Sequence, residues 1–181
     1  LSRNPSPTDR ATAYARAVKT GRVVAGPMVR QACARHLADL KRKDLRWDRE
    51  KSERAISIFE DCFKIGDGRP FLLEPFQHFI VGSVFGWYTT TGTRRFRTAY
   101  VEIAKGNGKT YLAAGIALIA FLFDEEDGAE VYAAATQQEQ ASIAFRDAKR
   151  IVESSPDLAA LVEVSVGSMY VPSTHSVFRP V

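Results

Sequence analysis

Residues 99–118 read Ala99-Tyr-Val-Glu-Ile-Ala-Lys-Gly-Asn-Gly-Lys-Thr-Tyr-Leu-Ala-Ala-Gly-Ile-Ala-Leu118, and their reading decides the fold. A short apolar run with Val101 and Ile103 suits a buried strand. Gly106-Asn107-Gly108-Lys109-Thr110 follows, and then an alanine- and leucine-rich helix. Strand, glycine loop and helix in that order are the context of a phosphate-binding P-loop. Gly106 and Gly108 open backbone conformations closed to other residues and let the chain approach a phosphate. Loop amides and the helix N-terminus supply aligned donors and partial positive charge for an anion. Lys109 is placed to reach the outer phosphates and the Thr110 hydroxyl to ligate Mg²⁺. The usual pattern carries a glycine five residues before the last one, and here Ile103 holds that place. The bland alternative is a strand-to-helix turn with an exposed lysine.

Outward from this stretch, the helix is expected to run from Lys109 to about Phe123 and to end at Asp124-Glu-Glu-Asp-Gly128. Ala120-Phe-Leu-Phe-Asp124-Glu125 imitates an apolar strand ending in Asp-Glu, the pattern that holds Mg²⁺ and activates water. Geometry rejects it, because a helix of about 14 residues carries the chain about 20 Å from the loop. Glu130–Ala135 reads as the next strand, its short crossover making it parallel to the first. Thr136 is the expected cap of a helix with Ala141, Ala144, Phe145, Ala148, Ile151 and Val152 on its core face. Leu161–Val166 and Met169–Pro172 look like short strands joined through Gly167-Ser168, with another starting at Ser176.

Before the loop, residues 1–10 read as a flexible lead-in, and the pattern turns helical from Asp9. A second helix is expected from Pro27, with Val29, Cys33, Leu37 and Leu40 on one face. Lys41-Arg42-Lys43 closes it, as a solvated helix end or as a DNA contact. Asp48 caps a third helix with the stripe Ala55, Ile56, Phe59 and Phe63. Pro75 opens a fourth, whose stripe is Phe76, Phe79, Ile80, Ser83, Val84 and Trp87. Gln77 lies off that stripe and by itself reads as a surface glutamine, although its amide matches the hydrogen-bonding edge of adenine. His36 and His78 carry no sign of a site. Arg94, Arg95 and Arg97 either face phosphate or DNA or border the strand end.

The chain has 181 residues, 45% hydrophobic and 25% charged, with a net charge of +4. That is about one ordinary globular domain, basic enough to permit a nucleic-acid partner without requiring one. Cys33 and Cys62 are far apart and read as two reduced thiols. No apolar run approaches the length of a membrane span, which points to the cytosol. The expected fold class is α/β: an incomplete P-loop NTPase-type parallel sheet flanked by helices over 66–181, preceded by a small helical unit over 1–65.

Taken together, Phe71-Leu-Leu-Glu-Pro-Phe-Gln77, Phe85-Gly-Trp87, Arg94-Arg-Phe-Arg97, Ala104-Lys-Gly-Asn-Gly-Lys-Thr110 and Tyr132-Ala-Ala-Ala-Thr-Gln-Gln-Glu-Gln-Ala141 with Ala144-Phe145 resemble the N-terminal ATPase region of the large terminase subunit of tailed bacteriophages. The resemblance spans almost the whole chain. It implies an ATP- and Mg²⁺-using part of the motor that pumps double-stranded DNA into a procapsid. The partners implied are portal protein and small terminase subunit, in a homo-oligomeric ring in the host cytoplasm, with no membrane. It implies an adenine contact for Gln77, nucleotide contacts for Gly106, Asn107, Gly108, Lys109 and Thr110, and Mg²⁺ on Thr110. Lys105 falls where many such subunits carry an arginine credited with acting on the γ-phosphate, and a lysine keeps the charge but loses the bidentate fork. The family's acidic strand end, coupling motif and nuclease are expected to follow about where residue 181 stands, so 1–181 alone is expected to be inactive, with open sheet edges that invite self-association. Two rivals stay open: a helicase-like P-loop ATPase, and a non-catalytic assembly module with a vestigial loop.

Overall fold

A computed structural model describes residues 9–66 and 68–181 of the chain. Of the flexible lead-in expected at 1–10, residues 1–8 lie outside them, and Arg10 already begins a helix. Along the chain come α1 (Arg10–Lys19), α2 (Pro27–Asp39), β1 (Leu45–Trp47), α3 (Arg49–Cys62), β2 (Lys64–Ile65), β3 (Arg69–Pro70), α4 (Pro75–Gly86), β4 (Trp87–Thr89) and α5 (Lys109–Leu122). Then follow β5 (Glu130–Ala133), α6 (Gln138–Glu153), α7 (Pro156–Ala159), β6 (Glu163–Val164), β7 (Met169–Val171) and β8 (Ser176–Pro180). The fold is mixed α/β. It divides into two compact units: the described residues up to Ser57 with Leu73–Val101, and Ile58–Leu72 with Glu102–Val181.

The starts of α1 and α3 are set by side chains that accept orphan amides. Asp9 Oδ1 accepts the Thr12 N–H at 2.9 Å and Asp48 Oδ1 the Lys51 N–H at 3.0 Å. β1 and β4 pair antiparallel, with Trp47 opposite Trp87. Apolar spacing predicts helices alone here, because each strand of this ladder is three residues long, too short to show alternation.

The buried face of α4 also differs from the expected stripe. Gln77, Val81, Gly82, Phe85 and Gly86 are buried, whereas Phe76, Phe79, Ile80, Ser83 and Val84 are half-exposed. The two glycines decide this. A Cβ on Gly82 would lie 2.5 Å from Ser52 Oγ and 2.7 Å from the Ala11 Cβ, and one on Gly86 would lie 2.8 Å from Trp47. The face that packs closest is therefore the small one.

A polar network lies inside this unit. Trp87 Nε1–H donates to His36 Nδ1 at 3.0 Å, which fixes His36 as the tautomer protonated at Nε2. That nitrogen donates to Thr12 Oγ1 at 2.8 Å, and the hydroxyl passes on to Asp9 Oδ2 at 2.7 Å. Trp47 Nε1–H donates to the same carboxylate oxygen at 2.7 Å. His36 is 3% exposed. Burial pushes its pKa down to about 4, against the opposing pull of Asp9 and Asp39.

In the second unit, β5, β8, β7 and β6 form a four-stranded sheet in that order. β5 and β8 run parallel, with Val131 opposite Phe178, and the other pairs are antiparallel. Phe178 is fully buried between the rings of Phe121 and Phe145, 6.1 and 5.4 Å away. α6 buries Ala141, Phe145, Ala148, Ile151 and Val152, much as its period required. Its N-cap is Gln137 rather than the expected Thr136, and no side chain caps it. α5 is apolar around most of its circumference and buries Leu112, Ala114, Gly115, Leu118, Ile119 and Phe121. A Cβ on Gly115 would fall within the Phe59 ring.

The strand expected at 99–104 belongs to no sheet, and the parallel neighbour of β5 is β8 rather than that stretch. Tyr100 is 87% and Val101 37% exposed. Apolar residues propose a strand, but only a neighbouring strand's amides and carbonyls make one. Cys33 and Cys62 are free thiols; Cys33 is buried as apolar packing predicts, whereas Cys62 is half-buried. Among the described residues no helix is long and apolar enough to cross a membrane.

His36 gives a test of the first unit. Its folded pKa, about 4, lies below the ordinary 6.5, so between those values the unfolded chain holds the extra proton and acid favours unfolding. Its contribution is fully present above pH 6.5 and is lost as pH falls toward 4, at up to roughly 1.4 kcal/mol per pH unit for one proton. Denaturant melts between pH 6.5 and 5 are expected to show that slope, and His36→Gln to flatten it. An equal slope in both proteins removes His36 as the cause.

Candidate functional site: the glycine loop before α5

The loop at 104–108 gets its shape from two left-handed glycines. Gly106 has φ +87° and Gly108, the N-cap of α5, has φ +68°. Successive residues alternating into this region turn their N–H groups toward one concavity, the geometry of an anion nest. Asn107 holds the turn from within: its Nδ2 donates to the Ala104 carbonyl at 3.3 Å and lies 3.5 Å from that of Lys105.

The first helical hydrogen bond of α5 runs from the Leu112 N–H to the Gly108 carbonyl at 2.9 Å. The amides of Lys109, Thr110 and Tyr111 precede it and face the helix end, where the peptide dipoles sum to partial positive charge. No acidic residue stands in the first turn to offset that charge. Lys109 folds back across the loop, its Nζ donating to the Ile103 carbonyl at 3.5 Å. Lys105, Gly106, Asn107, Gly108 and Lys109 are exposed and Thr110 half-exposed. Open amides, the Lys109 ammonium and a hydroxyl thus lie along one exposed turn.

Thr110 stands on the first turn of α5. Among the described residues no three His, Cys, Asp or Glu side chains gather to hold a metal ion. A lone hydroxyl is compatible with Mg²⁺, which keeps several waters and takes one or two protein ligands beside phosphate oxygens. Asp124 follows Phe123, the C-cap at the opposite end of α5 from Lys109. A helix of 14 residues separates the two by about 20 Å.

Gln77 belongs to the first unit and the loop to the second. It is buried at 4% exposure, against its reading as a surface residue. Its Oε1 accepts the Glu74 N–H at 2.8 Å, half of a reciprocal capping box with Glu74. Of the three arginines, Arg94 donates to the Val84 carbonyl at 3.3 Å and lies over the Phe85 ring at 4.7 Å. Arg95 Nη1 lies 2.6 Å from the buried Asp39 carboxylate, an ion pair by proximity rather than a directed hydrogen bond. Its guanidinium also lies over the Trp87 ring at 5.2 Å. Arg94 and Arg95 are therefore built into the first unit, and Arg97 is exposed. The Asp39–Arg95 pair was missed in the sequence because 56 positions separate its members.

A glycine loop thus opens an apolar helix in a mixed α/β unit. The particular family follows from comparison with known proteins. The family model of the terminase large subunit, ATPase domain, matches residues 75–181, and the chain belongs to that family. The large terminase subunit of Enterobacteria phage HK97 is 32% identical over 121 residues, which are 64% of this chain and 23% of that protein. The crystal structure of the HK97 bacteriophage large terminase matches with a TM-score of 0.62 and 28% identity. That match covers 71% of this chain and 26% of the other. The chain thus spans about a quarter of these relatives. The family seen in the motifs is the one found.

Gly106 separates backbone shape from packing. A Cβ there meets nothing within 4 Å, yet φ is +87°, so Gly106→Val costs about 1–2 kcal/mol of local strain without a clash. The substitution is expected to weaken tripolyphosphate binding severalfold while the cooperative melt of the chain stays within a few degrees. Unchanged binding in calorimetry would show that the loop does not need this conformation.

Proposed function

We propose that the loop before α5 is the nucleotide-gripping part of a viral DNA-packaging ATPase. The observation that carries this reading is the pair of left-handed glycines at the open N-terminus of α5, with Lys109 drawn across the same loop. Membership of the terminase ATPase family supports it. Amides of 106–110 hold the β- and γ-phosphates, Lys109 neutralises their charge, and the Thr110 hydroxyl ligates Mg²⁺. Mg²⁺ supplies charge neutralisation across the phosphate oxygens. Lys105 directs a second ammonium at the γ-phosphate, where positive charge counts most as the transition state spreads negative charge. Gln77 reads adenine through its amide, its carbonyl side being engaged at the start of α4.

On this reading residues 66–181 carry the nucleotide part and residues 1–65 a helical lead-in. β5 and β8, which run parallel, are two strands of a P-loop-type sheet in the assembled ATPase. The motor couples hydrolysis to translocation of double-stranded DNA, working as a homo-oligomeric ring with portal protein and the small terminase subunit in the host cytoplasm. A helicase-like ATPase would share the loop but not bind a portal protein, and a vestigial loop would not bind nucleotide.

Binding separates the roles. Lys109→Ala is expected to abolish the ATP-induced rise in melting temperature. Gln77→Ala is expected to weaken ATP by roughly 1–3 kcal/mol, the range for a lost buried polar pairing, and to leave tripolyphosphate affinity unchanged. Equal losses for both ligands would place Gln77 in the fold rather than on the base.

Turnover separates Lys105 from Lys109. In a polypeptide that includes a catalytic carboxylate, Lys105→Ala is expected to lower kcat roughly 10²-fold or more with little change in KM. The polypeptide 1–181 is expected to bind ATP without appreciable hydrolysis. Its apolar-run carboxylates, Asp124 and Glu125, follow the far end of α5, and a missing base costs about 10²–10⁴ in rate. Steady turnover by 1–181 that is lost in both Lys109→Ala and Asp124→Asn would reverse that assignment.

A further inference from the structure

We propose that the α1–α2 corner of the first unit is a docking surface for an acidic amphipathic helix of a partner protein. The corner lies outside the 75–181 family match, and the proposal is independent of the nucleotide reading.

Residues 10–38 contain Arg10, Arg16, Lys19, Arg22, Arg30 and Arg35 and neither aspartate nor glutamate. Lys19, Arg22 and Arg30 are exposed, and among the described residues no ion pair joins them to a carboxylate. Among these cations stands an apolar knuckle: Val24 is 97%, Met28 75% and Val29 40% exposed. Beside it a groove of about 300 Å³ is lined by Val18, Val23, Val24 and Ala25 with Lys19 and Arg30. Isolated exposed apolar residues are ordinary, whereas three within six positions of the chain, set among same-sign charges and beside a groove, mark a binding surface. Met28 adapts its unbranched side chain to whatever covers it.

Charge and shape together choose the occupant. Uncompensated cations call for carboxylates, and Val24, Met28 and Val29 call for apolar side chains between them. An amphipathic helix offers both, an apolar stripe at i, i+3, i+4 and i+7 with carboxylates on its flanks. A nucleic-acid backbone would match the cations but leave Val24 and Met28 against phosphates. The N-terminal residues Leu1-Ser-Arg-Asn-Pro-Ser-Pro-Thr8 bring a further cation and no side-chain carboxylate. The acidic run of a second copy, Asp124-Glu-Glu-Asp127, follows the end of α5 and is not helical, so it has no apolar stripe to offer.

Its two methionines make the chain report on itself. Met28 lies at the corner, whereas Met169 is fully buried in the second unit. With ¹³C-methyl methionine in residues 1–181, the probe is a synthetic peptide of about 18 residues, five helical turns, with leucine at i, i+3, i+4 and i+7 and glutamate between. The Met28 methyl is expected to shift in a saturable way and Met169 to stay in place. Val24→Ser is expected to weaken the peptide about tenfold, the effect of losing one buried valine. Arg22→Glu with Arg30→Glu should weaken it further, and a scrambled peptide of the same composition should fail to bind. Four results overturn the proposal. The peptide leaves Met28 unmoved; the scrambled peptide moves it equally; a short DNA duplex moves it in preference to the peptide, making the corner a nucleic-acid surface; or Met28 shifts with chain concentration alone, so that a second copy covers it.

Discussion

An α-helix cannot satisfy its own first amides. In the second unit that constraint is left open at the N-terminus of α5, and the rest of the unit is arranged around it. The helix is anchored by its apolar circumference, with Gly115 pressed against Phe59 and Phe121 beside Phe178. Anchoring fixes where the end of the helix points. Gly106 and Gly108 then shape the approach through their left-handed backbone. No acidic residue in the first turn cancels their field.

The first unit depends on a different device. Its small core is threaded by a chain of hydrogen bonds from Trp87 through His36 and Thr12 to Asp9, with Trp47 closing on the same carboxylate. Every member has a defined donor or acceptor role. The network therefore ties α1, α2, β1 and β4 in one register, since shifting any of them would strand a buried polar group. Gly82 and Gly86 allow the close packing that brings those elements within reach. A neutral histidine at its centre makes the arrangement sensitive to acid.

The shape of the candidate loop was legible in the sequence because its parts are neighbours in the chain. Gly106, Asn107, Gly108, Lys109 and Thr110 are consecutive, and glycine spacing before an apolar helix announces its own geometry. The dismissal of Asp124 rested on helix length and agrees with its position after Phe123. Pairings across long distances were not legible. Asp39 with Arg95, and Trp47 with Trp87, depend on which helix faces which, and no local period encodes that. The expected α4 stripe failed for the same reason, since glycines rather than large residues set its closest face.

The sequence by itself determined the family, the glycine loop, the extent of α5 and the periods of α3 and α6, because these are local patterns of apolar spacing, capping and backbone freedom. Tertiary structure alone decided which strand-like stretches pair, and with what. The stretch 99–104 has a strand's composition and belongs to no sheet, while Leu45–Trp47 has little of it and pairs with Trp87–Thr89. The physical reason lies in where the hydrogen bonds go. A helix closes its bonds within its own turn, so its sequence suffices to propose it. A strand's bonds all go to a neighbour, and only the folded chain supplies one.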